Sequence, residues 1–546
     1  MPFFCAEVGI ARPGTAVLAL DYGLGVNPPA TLALLPQAPE SSESLYASDM
    51  GYRTREADAP GLVQYPPILM RGFSIDRRLN LDPGRSAVAA AWGALEFYNG
   101  DGRFNGLVTA YNCESRDVRV RWGTKSYDAA RGYDVDPAYA DLLLAFGGIA
   151  GAWTLQRTTL RVPVRDGSAW LERPIQTKRY SGAGSYNGDA AIAGHAVPMT
   201  RGGTAPKPVR NVPLKLIDRV NKIYQYNDAA GTIVTLYDAG VTGYTNIGNT
   251  SNLYAGVAPV AGEYRTDNSR GLIQIGFNPT GTLTADVTGQ FPSAGAITTG
   301  ALIARYLLTE DATVPTAYVN TSAFATADSA YPYVAGIHVA DGAMTAVDAV
   351  DFILTSMGAR LIPSRAGALT PIMLVAPDPG APTVATYTRD HLIDIQPIAL
   401  PAAIDPPPWR LQMGFEKNWT KQTSGILAGA SDAQRQFAPT DGKTVTWSDS
   451  ALLLTYVRPN DPPVFGGALL TEADAQAVVN RLGAFYGTRR RAYDCTLPVR
   501  LGLARDIGET ATLAFALADL GVGKPALLYG ERFRPGDGTI SYQVFV

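Results

Sequence analysis

The side chains able to do chemistry in this chain of 546 residues are few and scattered. Its three histidines, His195, His338 and His391, have no second histidine at metal-ligand spacing, and HExxH is absent, so nothing points to a zinc hydrolase. Cys5, Cys113 and Cys495 stand far apart and odd in number. That argues against a disulfide framework or a paired-thiol metal site, and the three read as small buried hydrophobes. The run SGAGSYNG at 181–188 spaces its glycines GxGxxxG, with no clean strand before it and no amphipathic helix after it, so it fails as a dinucleotide loop. Gly442-Lys443-Thr444 has Phe437 where a Walker loop needs its first glycine, and GxSxG is missing. Asp and Glu total 49, so some carboxylates must fall close together as glycosidases require, yet the sequence selects no pair. Arg489-Arg490-Arg491 is the only dense basic run. It could touch DNA in a channel, but a loop leaving a helix C-terminus is commonly basic for dipole reasons, and that reading is the stronger. The expectation is no catalytic residue, no cofactor and no metal: not an enzyme.

The stretch EFYNGDGRFNGL, residues 96–107, mixes glycine, asparagine and aspartate between apolar flanks. A calcium loop starting at Asp101 would place Arg103 at the third ligand position and Asn112 where a bidentate acid belongs, so a cation would meet a positive charge. What remains is backbone geometry. Asn99, Gly100, Asp101 and Gly102 enter positive φ cheaply, where a β-branched residue would cost ~1–2 kcal/mol, so the segment reads as a hairpin or double turn.

The elements that must position any site are short strands. Fifty-six glycines and 39 prolines are spread along the chain instead of clustered. AVLAL near 16–20, ALEFY at 94–98, VRVRW at 118–122 and TTLRVPVRDG at 158–167 read as strands, with Val118, Val120 and Trp122 on one face and Arg119 and Arg121 on the other. IVTLYDAGVTGY at 233–244 and GLIQIGF at 271–277 follow. Asn278-Pro279-Thr280-Gly281 then reads as a hairpin turn in which Pro279 fixes φ and Gly281 is free to take φ > 0. Helices are predicted at 345–357 and about 471–486. Thr345 with Asp348, and Thr471 with Asp474, supply N-terminal caps, and Val347, Val350, Leu354 and Met357 form one stripe of the first. ARLIP and ALTPIMLV make a hairpin after that helix. PDPGAP and DPPPW, within 377–408, carry the strongest linker composition.

The fold class predicted is mainly β (α+β) and multidomain, with barrel- or sandwich-like units and a small helix-plus-hairpin unit. The boundaries expected are 1–175, 176–325, 326–400 and 401–546. Charged residues make up only 17% of the chain, against ~25% in ordinary soluble domains, which leaves polar, weakly charged surfaces suited to permanent contact with other chains. A net charge of -3 gives no global attraction to nucleic acid or anionic membrane. No run of 18 apolar residues occurs, and the opening residues lack the basic start of a secretory signal, so synthesis in the cytoplasm without membrane insertion is expected. Tyr224, Tyr226, Tyr237, Tyr244, Tyr254 and Tyr264 accumulate in one stretch. They read as candidate interface residues, or as platforms for glycan stacking.

Several segments, taken in order, resemble a family of tail proteins of tailed bacteriophages and prophages, notably siphophage-like ones of alphaproteobacteria. They are GYRTREADAPGLVQYPPILMRGFSI (51–75), GALEFYNGDGRFNGL (93–107) with RDVRVRWG (116–123), the stretch 173–218 ending VRNVPLKLID, YQYNDAAGTIVTLYDAGV (224–241) and LQMGFEKNWTKQTSGILAGA (411–430). The resemblance covers nearly the whole chain after residue 45. SGAGSYNGDAAIAG has drifted from the family pattern, and extra residues precede VRN. The resemblance implies a virion structural protein of the tail tip or baseplate, of the hub type: a homotrimer closing a ring around the DNA channel and joining the end of the tail tube to distal fibre or spike proteins. DNA would pass through the lumen without sequence-specific binding. The alternatives are a glycan-binding receptor adhesin built on the tyrosines and, behind it, a tail-associated hydrolase.

Overall fold

The computed structural model describes residues 1–12, 41–71, 73–84, 89–518, 520–534, 536 and 538–546. The strand expected at 16–20 lies outside them. The described chain is mainly β and multidomain, with its longer helices confined to residues 300–486.

One large antiparallel sheet is built by the first part of the chain. Its order is Ser41–Ser48, Pro2–Arg12, Asp117–Thr124, Leu143–Ala150, Thr159–Arg165, Ala94–Tyr98 and Leu69–Arg71. The alternation of VRVRW does the expected work: Val118 and Val120 are fully buried while Arg119 faces solvent. A second sheet runs Thr386–Tyr387, Thr510–Leu513, Lys524–Arg534, Thr539–Phe545, Ala492–Pro498 and Asp394–Ile398. An early strand, Ile75–Arg78, joins this late sheet by pairing antiparallel with Lys524–Arg534. Both sheets close on one core. Phe4, Val8, Phe97, Val120 and Phe146 come from the first, and Leu497, Leu528, Phe533, Ile540 and Val544 from the second. Each large apolar side chain buried this way contributes about 1.5–3 kcal/mol, so the two ends of the sequence are held together by burial as well as by strand pairing. The Pro-rich stretch 377–408 is also more than a connector, since Thr386–Tyr387 and Asp394–Ile398 are strands of this sheet.

Residues 199–289 form most of a second β unit of two five-stranded sheets, whose apolar faces share Val209, Val212, Leu236, Ile273, Ala285 and Val287. The hairpin expected around Pro279 and Gly281 is not formed. Leu272–Ile275 pairs with Ile223–Gln225 and Glu263–Asp267 in one sheet, whereas Leu283–Gly289 pairs with Gly231–Asp238 in the other. The Asp238 carboxylate accepts from Thr280 N–H at 2.7 Å and Gly281 N–H at 2.9 Å, anchoring the turn to the end of the strand that Leu283–Gly289 joins. Gly281 is absent from the positive-φ backbone positions. Its small size serves close approach instead, since a Cβ there would lie 2.9 Å from Ala239 Cβ.

Between these units lie the helices Gly300–Tyr306, Thr321–Ala330, Ala346–Ser356 and Glu472–Tyr486. Ala346–Ser356 starts where the sequence places it. Thr345 Oγ1 accepts from Asp348 N–H, and the Asp348 carboxylate accepts from Thr345 N–H. Gly358, at φ 63°, follows its end and leads into the hairpin Ala359–Pro363 and Leu369–Met373. Glu472–Tyr486 buries Val478, Val479, Leu482 and Phe485, and packs on a three-stranded sheet centred on Arg410–Phe415. Among the described residues, no helix is long and apolar enough to cross a membrane.

Candidate functional site

The groups that tie these units together are buried arginines. Arg77, on Ile75–Arg78, lies directly across from Glu531 on Lys524–Arg534, and its Nε donates to Glu531 Oε2 at 3.0 Å. Its remaining nitrogens reach Asp506 at 2.7 Å and the Pro363 carbonyl at 2.8 Å. Arg365, from the turn of the central hairpin, meets Glu531 Oε1 at 2.6 Å without hydrogen-bond alignment, and donates to Tyr542 Oη at 2.8 Å. Burial opposes the Arg77 charge, yet Glu531 and Asp506 beside it hold its pKa above the ordinary value. Burial likewise pushes Asp506 up, and the Arg77 and Arg365 guanidiniums outweigh it and bring the carboxyl below the usual range. Early strand, late sheet and central hairpin therefore meet at one ionic node.

A second node joins the second β unit to the helices. Arg201 donates to Asp311 at 3.1 and 2.7 Å and to Asp228 at 2.8 Å, with its guanidinium 5.2 Å from the Phe291 ring centroid. Nothing in the spacing of these arginines marks them. Their partners lie far off in sequence, and only the fold brings them together.

Of the six tyrosines expected at an interface, Tyr224, Tyr226, Tyr237 and Tyr264 are buried. Tyr224, Tyr226 and Tyr264 belong to the apolar core of the second β unit. Tyr244 stacks on Phe277 with ring centroids 4.4 Å apart. These strands face each other across a core, so their aromatic area is spent inside, and only Tyr254 is exposed, at 39%. The tyrosine-lined contact surface expected from sequence is thus not present.

At Asn99, Gly100, Asp101 and Gly102 the chain makes two consecutive turns, closed by Gly102 N–H on Asn99 O and Asn105 N–H on Gly102 O, each at 3.0 Å. It then enters the helix Asn105–Ala110, not a return strand. Asn99 is buried and its Oδ1 accepts from Phe104 N–H at 2.9 Å, while Gly102 takes φ 73°. Asp101 pairs with Arg103 at the surface. His338 is buried against Thr200 and Trp419, His195 lies beside Lys215, and His391 contacts Thr388. Among the described residues no three His, Cys, Asp or Glu side chains gather as a metal site. Cys5, Cys113 and Cys495 are free and buried, and burial raises the Cys113 thiol to about 11 and the Cys495 thiol to about 12.

Two exposed regions stand out. The strand Thr245–Asn249 is the edge of its sheet, paired parallel with Glu263–Asp267 on one side only and exposed along its whole length. Ile247 on it, and Val257 and Val260 on the loop that leads from it to Glu263–Asp267, are exposed, Val257 at 84%; Val220 is exposed at 88% on the turn between Lys215–Asp218 and Ile223–Gln225, at the other edge of the sheet. The turn bearing Val220 and the loop bearing Val257 are tied by Tyr254 Oη donating to Asp218 Oδ2 at 2.9 Å. Elsewhere, Leu454 and Val457 project into solvent at 90% and 100% exposure. Large apolar side chains left in water mark contact surfaces when they cluster.

What the fold and these surfaces define is a mainly β, multidomain body with one unpaired edge strand and exposed apolar side chains. No family model matches the chain, and no curated protein matches it. Among solved structures it is similar to the tail protein from Neisseria meningitidis MC58, at 11% identity and a TM-score of 0.34, over 88% of this chain and 92% of that one. The prophage MuSo2 43 kDa tail protein from Shewanella oneidensis gives 10% identity and a TM-score of 0.31, over 89% and 94%. Prophage tail protein gp18 from Listeria monocytogenes EGD-e gives 8% and 0.27, over 79% and 85%. Likenesses of this degree fix neither the fold nor the role of this chain.

Proposed function

We propose that this chain is a structural protein of a phage tail, located in the virion at the tail tip or baseplate. There it forms a homotrimeric hub ring around the DNA channel, between the end of the tail tube and the fibre or spike proteins. The ordered motifs from residue 51 to 430 support the class. The physical observation that carries the role is the pairing of buried ionic ties with an open edge: the Arg77 node holds the early strand and the late sheet to the central hairpin and the Arg201 node holds the second β unit to the helical region, while Thr245–Asn249 leaves one side of its backbone unpaired next to a loop of exposed valines. A ring subunit needs both, a stiff body to carry load and a surface that is completed only by its neighbour. No catalytic step is part of this role, and the buried tyrosines take away the surface on which a glycan-binding alternative rested.

Mass measurement of the purified chain and imaging of assembled particles test it. A trimer in solution and density encircling the tail axis support the hub. A monomer in the particle, or density at the periphery, overturns it.

A further inference from the structure

Beside the strand Arg410–Phe415 lies a cleft of about 470 Å³ whose walls include Lys417, Asn418, Asp441, Gly442, Lys443 and Gly467. Here the loop that fails as a Walker sequence does line a cavity. Lys417 is partly buried. Its Nζ sits 5.0 Å from the Phe352 ring centroid and 4.6 Å from that of Trp419. Among the described residues it has no ion pair and no hydrogen bond. Its neighbours are already matched, Lys443 with Glu416 at 2.9 Å and Lys421 with Asp441 at 3.2 Å.

A desolvated ammonium held by two ring faces recovers only part of its hydration, since each such contact is worth about 0.5–2 kcal/mol. Burial accordingly pushes the Lys417 pKa down, against the opposing pull of the Asp441 carboxylate. The walls leave room beside it. Gly442 and Gly467 take φ 144° and 134°, which side chains rarely adopt, and a Cβ on Gly467 would stand 3.3 Å from the Phe352 ring and 3.8 Å from Lys417 Cβ. The volume falls in the range of sites that hold small molecules, about 300–1,000 Å³.

We propose that this cleft binds the phosphate or carboxylate group of a small anionic molecule, with Lys417 Nζ as the charge that receives it and Lys443 beside it. This stands apart from the hub role and survives its failure. The test uses the full chain at constant ionic strength, titrated by calorimetry with inorganic phosphate and separately with acetate. Saturable binding of at least one is expected, and whichever binds more tightly identifies the oxyanion. Lys417→Met keeps the aliphatic stem between the rings and removes the charge, so binding should weaken about tenfold or more. Lys417→Arg should retain most of it. Reductive 13C-methylation of the wild-type chain gives a readout independent of Lys417→Met folding: the Lys417 resonance, identified by its loss in Lys417→Arg, moves on adding the anion. No saturable binding of either anion, a Lys417→Met chain that binds as the wild type does, or a stationary Lys417 resonance overturns the proposal.

Discussion

Arg77 and Glu531 are 454 positions apart in sequence yet face each other across neighbouring strands, fully buried and joined through Nε and Nη2. Glu531 also faces Arg365, so one carboxylate separates two guanidiniums. The two partners are therefore not equivalent. Glu531→Gln leaves two buried cations together with Asp506 as their remaining counter-charge, whereas Arg77→Met leaves Glu531 paired with Arg365. Breaking a buried pair costs about 3–5 kcal/mol. Glu531→Gln is expected at or above the top of that range and Arg77→Met toward the bottom, measured by urea unfolding. The reverse ranking would mean the node is not organised around the carboxylate.

His338 makes stability fall with acid in a window set by its burial. The Thr200 hydroxyl donates to the Tyr226 carbonyl at 2.7 Å, so it accepts from His338 Nδ1–H at 2.9 Å, and Nε2 keeps its lone pair in the core. Burial lowers the folded pKa to about 3. The unfolded chain takes up its proton near pH 6.5. Below pH 6.5 the unfolded state gains a proton that the folded state refuses, so this contribution is intact above 6.5 and lost progressively as pH falls toward 3. Between pH 7 and 5 the loss is about 2 kcal/mol. His338→Asn, whose amide can still donate to Thr200, should show that much less change in unfolding free energy between pH 7 and pH 5. An unchanged difference would remove His338 from the account.

Local physics made the sequence readable where one segment carried its own instructions. The Thr345–Asp348 cap, the stripe of Val350 and Leu354, and the alternation at Val118 and Val120 each need only neighbours within a few residues. The turn at Pro279 and Gly281 departs from a hairpin because its outcome depends on Asp238, some forty positions earlier, holding the turn to a different sheet. The tyrosines differ from expectation for a related reason. Composition reports that Tyr is abundant in 224–264, while which face of a strand meets the core depends on the partner sheet. The joining of Ile75–Arg78 to the late sheet had no local signal at all.

Gly483 tests packing against propensity. On the helix Glu472–Tyr486 it lies against the Trp447 indole, and an added Cβ would fall 2.4 Å from two of its ring carbons. Helix propensity alone favours alanine by ~0.8–1 kcal/mol. Overpacking a close contact costs about 1–3 kcal/mol. Gly483→Ala is therefore expected to lower the thermal midpoint, and a rise would show that Trp447 moves aside at little cost.

The open edge at Thr245–Asn249 makes the assembly role separable from folding. Ile247 is exposed there and touches no core cluster, so Ile247→Lys should leave monomer stability within about 0.5 kcal/mol. A lysine on an unpaired edge strand opposes pairing with another chain, because its ammonium must be desolvated where the second strand would lie. Val257→Glu, on the loop that follows this strand, should act in the same direction by placing charge beside the open edge. If this end of the second β unit is where copies meet, both variants remain folded by circular dichroism, shift the purified chain toward monomer in light scattering, and fail to enter tails assembled in its presence. Variants that assemble as well as the wild type would move the contact elsewhere, with the exposed Leu454 and Val457 as the next surface to test.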